Sequence, residues 1–254
     1  MSKNAGDGVC SVGGQEGGCC FDDHLEDCRA IIEKVHSVSG KPVHFIGHSM
    51  GAMLLQCAAG GGGAVAGKLR SGVSIGGSLF MEDSGWKSFL VLWPVVKYLP
   101  TIHANFFQMA IAPLSFRLNS FWDKFFFCQS NVDPKVARQM FRKNWEPMST
   151  ALLGQLRSAF KPEGLFSRDG TKSYVQSLAA IRIPMLVLAG AADKQCPPSG
   201  LEKLAGMVAG CQYECLGRDT GQAEQYGHFD LIVGARARDE VWGKVLRFLE
   251  HHDR

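Results

Sequence analysis

Apolar residues recur at helical spacing at Leu25, Cys28, Ile31, Ile32 and Val35, with Asp22, Asp23, Glu26, Asp27, Glu33 and Lys34 between them. That period predicts an amphipathic helix from about Asp22. Asp23 and Glu26 have the spacing of a capping box, and Gly40 suits the C-terminal stop. A Gly40-Lys41-Pro42 turn then feeds the short apolar stretch Val43 to Ile46, which reads as a strand. Gly47-His48-Ser49-Met50-Gly51 follows, and after it the small and apolar run Ala52 to Leu55. The order is strand, sharp turn, helix. The helix is expected to end in Gly60 to Gly63, and Val73 to Gly77 reads as the next strand.

Trp86 to Phe127 is the most apolar and aromatic part of the chain, including Phe89, Trp93, Tyr98, Phe106, Phe107, Phe121, Trp122 and Phe125 to Phe127. A membrane span fails here, because Pro100, His103, Asn105, Gln108 and Pro113 interrupt the only stretch long enough. Core helices or an apolar lid over a substrate cleft fit, and such a surface would also suit contact with a lipid interface. Beyond it, Asp133 to Trp145 and Thr150 to Phe160 read as helical segments, and Ser167 to Gly170 as a turn. Ile183 to Gly190 is a short continuous apolar run, the pattern of a fully buried parallel strand. Leu201 to Val208 reads as a helix, Gln212 to Leu216 as a short strand, and Val241 to Phe248 as a closing amphipathic helix. The alternation of strand and helix predicts an α/β fold with a mostly parallel sheet.

Composition narrows the function classes. The 254 residues suffice for one α/β domain with a sizeable core, and no internal repeat or interdomain linker is visible. A net charge of +3 without blocks of like charge argues against a nucleic-acid surface. Nine scattered cysteines show neither metal-ligand spacing nor a disulfide framework, so no metal site is expected and the reading is a reducing intracellular compartment such as the cytoplasm. Met1 to Cys20, rich in Gly, Ser and Cys, reads as a flexible tail and not as a signal or transit peptide. Gly62, four residues, then Gly67-Lys68 approaches a phosphate-binding loop, but Leu69 stands where Ser or Thr must hold magnesium, and a strand follows instead of a helix. A helix-to-strand connector is the better account, and no cofactor is implied.

The chemistry lies in Gly47-His48-Ser49-Met50-Gly51. The two glycines permit a tight turn that holds a serine hydroxyl proud of the sheet at a helix N-terminus, so Ser49 is a candidate nucleophile. A serine needs a base within hydrogen-bond reach, and that base needs a carboxylate to fix its tautomer. Asp193 ends the Ile183–Gly190 strand segment, and His228 sits in the polar loop Tyr226-Gly227-His228-Phe229-Asp230. The order Ser49, Asp193, His228 is that of α/β-hydrolases. Other readings stay open at this point: Asp193 as a cap of the helix after Pro197-Pro198, His228 as a structural loop histidine, and Asp230 as a reserve acid. His44 would lie within a strand, His48 is the variable position of the turn, and His251 and His252 belong to the C-terminus. The backbone N–H of Met50 would supply one oxyanion donor; a second, normally from a loop after an earlier strand, has no visible source before Asp22.

Phe45 to Ala52, Leu188 to Asp193 and Tyr226 to Leu231 together resemble the α/β-hydrolase superfamily. The likeness extends to a plant and algal branch related to lysosomal-acid-lipase-type and polyester-synthase-like hydrolases, which the tail Gly234 to Val241 and Leu249 to His252 also fits. The resemblance implies Ser49 as nucleophile, Asp193 as acid and His228 as base. It also implies a hydrolase core of 21–83 and 173–254 and a helical cap inserted at 84–172. Polyester synthases use a cysteine nucleophile, so Ser49 points to hydrolysis. The family's first four strands should precede Asp22, so the fold is expected to be N-terminally truncated, leaving Val43–Ile46 with an unpaired edge. The expected function is a serine hydrolase of esterase or lipase type, acting through an acyl-enzyme on a hydrophobic, small-molecule or lipid-like ester. The alternatives are a non-catalytic binding protein on the same scaffold and an acyltransferase.

Overall fold

A computed structural model describes residues 18–117, 121–143 and 146–253. The flexible-tail expectation for 1–17 and the helical expectation at Asn144 and Trp145 lie outside these residues. The element order is α1 Phe21–Ser39, β1 Val43–His48, α2 Met50–Gly60, α3 Gly63–Ala66 and β2 Leu69–Ile75. Next comes a 3-10 stretch, Gly85–Leu92, which runs into α4 Trp93–Val96. β3 Thr101–Ile102, α5 Ala104–Ile111, α6 Phe121–Phe126, α7 Pro134–Lys143, β4 Met148–Ser149 and α8 Thr150–Leu156 follow. The chain finishes with β5 Met185–Gly190, α9 Pro198–Met207, β6 Gln212–Leu216, α10 Asp230–Val233 and α11 Gly243–His252.

Four strands form one parallel sheet in the order β1-β2-β5-β6, and β3 with β4 makes a separate two-residue antiparallel ladder. β5 is buried along its whole length, as its unbroken apolar run predicts. Successive residues serve opposite faces: Met185, Val187 and Ala189 pack with Leu25, Leu55 and Leu201, whereas Leu186 and Leu188 pack with Val241, Val245 and Phe248. The two faces are therefore covered by α1, α2 and α9 on one side and α11 on the other. A third cluster, Phe125, Phe126, Phe127, Val132 and Phe141, gathers the aromatic segment and is joined by Phe229 from the loop after β6.

The sheet strands and their flanking helices follow the hydrophobic pattern, whereas the β3–β4 ladder and the short helices α3 and α10 were not expected from it. The capping box of α1 is one turn earlier than expected: Asp23 accepts from the N–H of the N-cap Cys20 at 2.7 Å, and Glu26 instead pairs with Arg29. The spacing rule identified a carboxylate but assigned it the wrong role, because Cys20 is an unusual cap. Gly40 does stop the helix, in the left-handed conformation at φ 67°. In place of a phosphate loop, α3 and β2 follow Gly62, so the connector reading stands. β1 is an edge strand among the described residues, and Ile46 on it is exposed. Cys20, Cys28, Cys57, Cys128, Cys196, Cys211 and Cys215 are free thiols. Among the described residues no helix is long and apolar enough to cross a membrane, and no group of His, Cys, Asp or Glu could hold a metal ion.

Candidate active site

Ser49 stands between the last residue of β1 and the first of α2, at φ 56° and ψ −121°. A non-glycine residue at positive φ is strained, and tertiary contacts over-determine it here. The Ser49 N–H donates to the Ile75 carbonyl at 2.9 Å, so the end of β2 holds the turn in place. Gly47 is required because a Cβ there would lie 2.4 Å from the Gly51 carbonyl oxygen. Gly51 itself has open space where its Cβ would go, so only one of the two motif glycines is demanded by packing. The second demanding position is outside the motif: a Cβ on Gly77 would come 2.2 Å from the Ser49 carbonyl oxygen. Buried Gln56 fixes that loop, donating from Nε2 to the Gly77 carbonyl at 2.7 Å and to Ser74 Oγ at 2.9 Å.

The carboxyl ends of the strands bring the three sequence candidates together, at the edge where open α/β sheets collect ligands. Asp193 follows β5 and is buried; its Oδ1 accepts from the N–H groups of Gln195 (2.8 Å) and Cys196 (2.9 Å). The N-cap of α9 is Pro197, so Asp193 is not the cap of that helix. Its other oxygen, Oδ2, lies 2.7 Å from His228 Nδ1. A carboxylate can only accept, so Nδ1 carries the proton and Nε2 presents its lone pair. Nε2 lies 2.9 Å from Ser49 Oγ, which donates to it. His228 and Asp193 are almost wholly buried, and Ser49 is half-buried. Chemically, this is a hydroxyl whose proton can pass to an imidazole already oriented by a shielded carboxylate. Met50 is the first residue of α2, where backbone N–H groups have no acceptor within the helix.

The competing histidines and the reserve acid are placed elsewhere. His44 bonds Ser71 through Nδ1 at 2.7 Å within the sheet, and His251 and His252 end α11. Asp230 turns away from His228: its Oδ2 accepts from the N–H groups of Gly227 (2.7 Å) and Cys128 (2.6 Å). The carboxylate thereby ties the histidine loop to the aromatic segment. Aromatic packing continues that tie, with Phe229 stacked 5.9 Å from Phe126.

His48, the variable position of the turn, makes contacts of its own with the His228 loop. Its Nε2 lies 3.0 Å from the His228 carbonyl oxygen, to which it must donate, and its ring sits 4.7 Å from the His228 ring. Burial, reinforced by the neighbouring His228, pushes its pKa down to about 3, so it is neutral at physiological pH. The motif alone could not show this, because the contact is made across the sheet edge. Replacing the ring without its donor, His48→Phe, is expected to cost about 1–3 kcal/mol by leaving the His228 carbonyl unpaired. A urea midpoint equal to the wild type's would contradict that.

A depression of about 600 Å³ between Asp22, Ser167, Arg168, Asp169, Thr171 and Lys172 contains none of the three candidates. It is an open polar hollow, and it offers no buried group for chemistry.

The chain is similar in fold to the monoacylglycerol lipase of Paleococcus ferrophilus, with TM-score 0.60 and 17% identity over 94% of this chain and 78% of that one. An esterase from Exiguobacterium antarcticum gives TM-score 0.57 and 17% identity over 92% of this chain and 74% of that one. A thermophilic esterase from Thermogutta terrifontis gives TM-score 0.57 and 16% identity over 93% and 74%. At these identities the likeness speaks for the fold alone. No curated protein matches the chain. A model of the alpha/beta hydrolase family does match, over residues 14–241. Because that match runs through the turn at Ser49, both later strand ends and the His228 loop, this chain belongs to the alpha/beta hydrolase family.

Proposed function

We propose that the protein is a serine hydrolase of the esterase or lipase type, acting on carboxylic esters through an acyl-enzyme. The single observation that carries this reading is the unbroken hydrogen-bond chain Asp193–His228–Ser49 at 2.7 and 2.9 Å. In the proposed reaction Ser49 Oγ attacks the ester carbonyl carbon while its proton moves to His228 Nε2. Asp193 stabilises the imidazolium that results. The oxyanion of the tetrahedral intermediate is stabilised by the Met50 N–H. Collapse expels the alcohol, which takes the proton from His228 and leaves Ser49 acylated. Water, deprotonated by His228, then releases the acid and restores the serine.

A hydrophobic acyl or alcohol group is supported by the surroundings of His228, which packs edge-on against Phe229 at 5.1 Å, itself part of the aromatic cluster. In this reading 84–172 is the helical cap over the site and 21–83 with 173–254 the hydrolase core.

Covalent labelling tests the proposal. A fluorophosphonate probe is expected to label the wild-type protein at Ser49 and to leave Ser49→Ala unlabelled, with the adduct located by peptide mass. Equal labelling of the two proteins would overturn the assignment.

A further inference from the structure

The segment after Ser84 carries apolar side chains on its outside as well as its inside. Facing inward, Trp93 packs against Gly154, with the Arg157 guanidinium 4.5 Å from its ring, and Phe89 sits 5.3 Å from Trp86 and 5.9 Å from Trp122. Facing outward, Val91, Leu92, Val95, Tyr98 and Leu99 are between 49% and 78% exposed. Five exposed apolar side chains within nine residues form a patch where a solvated helix would present polar ones. Phe106 and Met109, one turn apart on α5, are exposed as well.

Charge indicates what covers this patch. From Ser84 to Trp122 there is no Asp or Glu, whereas Lys87, Lys97 and Arg117 are present and exposed. Lys97 Nζ lies 4.8 Å over the ring of Tyr98, a cation and an amphipathic aromatic side by side. The nearest preceding carboxylate, Asp83, is engaged by Ser199 Oγ at 2.8 Å. Apolar side chains flanked by lysines and free of acidic residues complement a surface that is apolar beneath and anionic above. Among the described residues no helix is long and apolar enough to cross a bilayer.

We infer that the outward face of Val91 to Leu99, with Lys87 and Lys97, docks reversibly on an anionic lipid surface. The segment is rooted beside the candidate acid: Ser84 Oγ and Gly85 N–H donate to the carbonyls of Gln195 (2.5 Å) and Lys194 (2.8 Å), and Trp86 Nε1 donates to Gln195 Oε1 at 3.1 Å. Docking would therefore hold the edge of the sheet that carries Ser49 close to the lipid. The inference stands apart from the serine chemistry, since Ser49→Ala should bind lipid as the wild type does.

Co-sedimentation of the full chain with vesicles tests it. Binding is expected to vesicles of equimolar phosphatidylcholine and phosphatidylglycerol, weaker by about fivefold for each of Lys87→Ala and Lys97→Ala. The triple variant Val91→Ser, Val95→Ser, Tyr98→Ser, all at exposed positions, should lose about tenfold or more. Pure phosphatidylcholine should bind more weakly and show no effect of the lysine changes. Three results would overturn the inference: no binding to the anionic vesicles, a triple variant with unchanged circular dichroism that still binds like the wild type, or a wild-type dimer in sedimentation velocity that the triple variant abolishes. The last would assign the patch to a second copy of the chain.

Discussion

Ser49→Ala is expected to lower kcat on a short-chain p-nitrophenyl ester by about 10⁶, and Asp193→Asn by about 10⁴. In the proposed reaction the first removes the attacking atom. What remains is the polarising effect of backbone donors and of binding, which is why some rate above that of water should persist. The second acts through a proton. Asp193 Oδ1 is fixed by the N–H groups of Gln195 and Cys196, so an asparagine placed there must keep its oxygen on that side. Its amide NH₂ then faces His228 Nδ1, where an acceptor now stands. Two donors cannot share that contact, so the imidazole shifts its proton to Nε2 and can no longer accept from Ser49 Oγ. The fold should be unchanged, because asparagine matches aspartate in shape. An Asp193→Asn enzyme with kcat within tenfold of wild type would show that the carboxylate does not set the tautomer.

These residues were legible in the sequence because each follows an element with a strong local signature. Ser49 lies in a five-residue pattern after an apolar strand, and Asp193 follows a short continuous apolar run that reads as a buried strand. His228 was found by order and by its polar loop. The groups that hold them were not legible, since they are defined by tertiary neighbours. Gly77 is 28 residues from Ser49, and its need to be glycine comes from the Ser49 carbonyl pressing on it. Gln56 reads as one more residue of an apolar helix until its amide is seen to meet Gly77. His48 looked variable because motif spacing cannot reveal a contact with a loop 180 residues away. The capping box failed for a different reason: a cysteine at the N-cap carries no propensity signal, so the pattern slid to the next carboxylate.

Asp230, considered as an alternative acid, should instead shape the pH dependence of stability. Burial pushes its carboxyl up to about 7 from the ordinary aspartate value of 3.8, against the pull of two backbone donors, and nearby Asp193 adds to the rise. The other facing titratable group, the Cys128 thiol, is itself pushed up to about 12 and stays neutral. Asp230 Oδ2 takes both backbone hydrogen bonds, while Oδ1 is buried without a partner. That lone oxygen is where a proton relieves the cost of a buried charge. Between pH 3.8 and about 7 the native carboxyl keeps a proton that the unfolded chain has already released. The native state binds more protons across this window, so stability falls as pH rises through it and then levels off. At about 1.36 kcal/mol per pH unit, the loss attributable to this one group is up to about 4 kcal/mol. Asp230→Asn keeps an acceptor for Gly227 and Cys128 and cannot ionise. It should match the wild type near pH 4 and exceed its stability by several kcal/mol, about 4 at most, near pH 8. Urea unfolding at the two pH values measures this directly, and parallel profiles for the two proteins would mean that Asp230 is ionised throughout. Asp230→Ala separates charge from position: it leaves the Gly227 and Cys128 N–H groups without their carboxylate, so the His228 loop loses its tie to the aromatic segment. Ester turnover should then fall in the alanine variant at every pH, while the asparagine variant retains it.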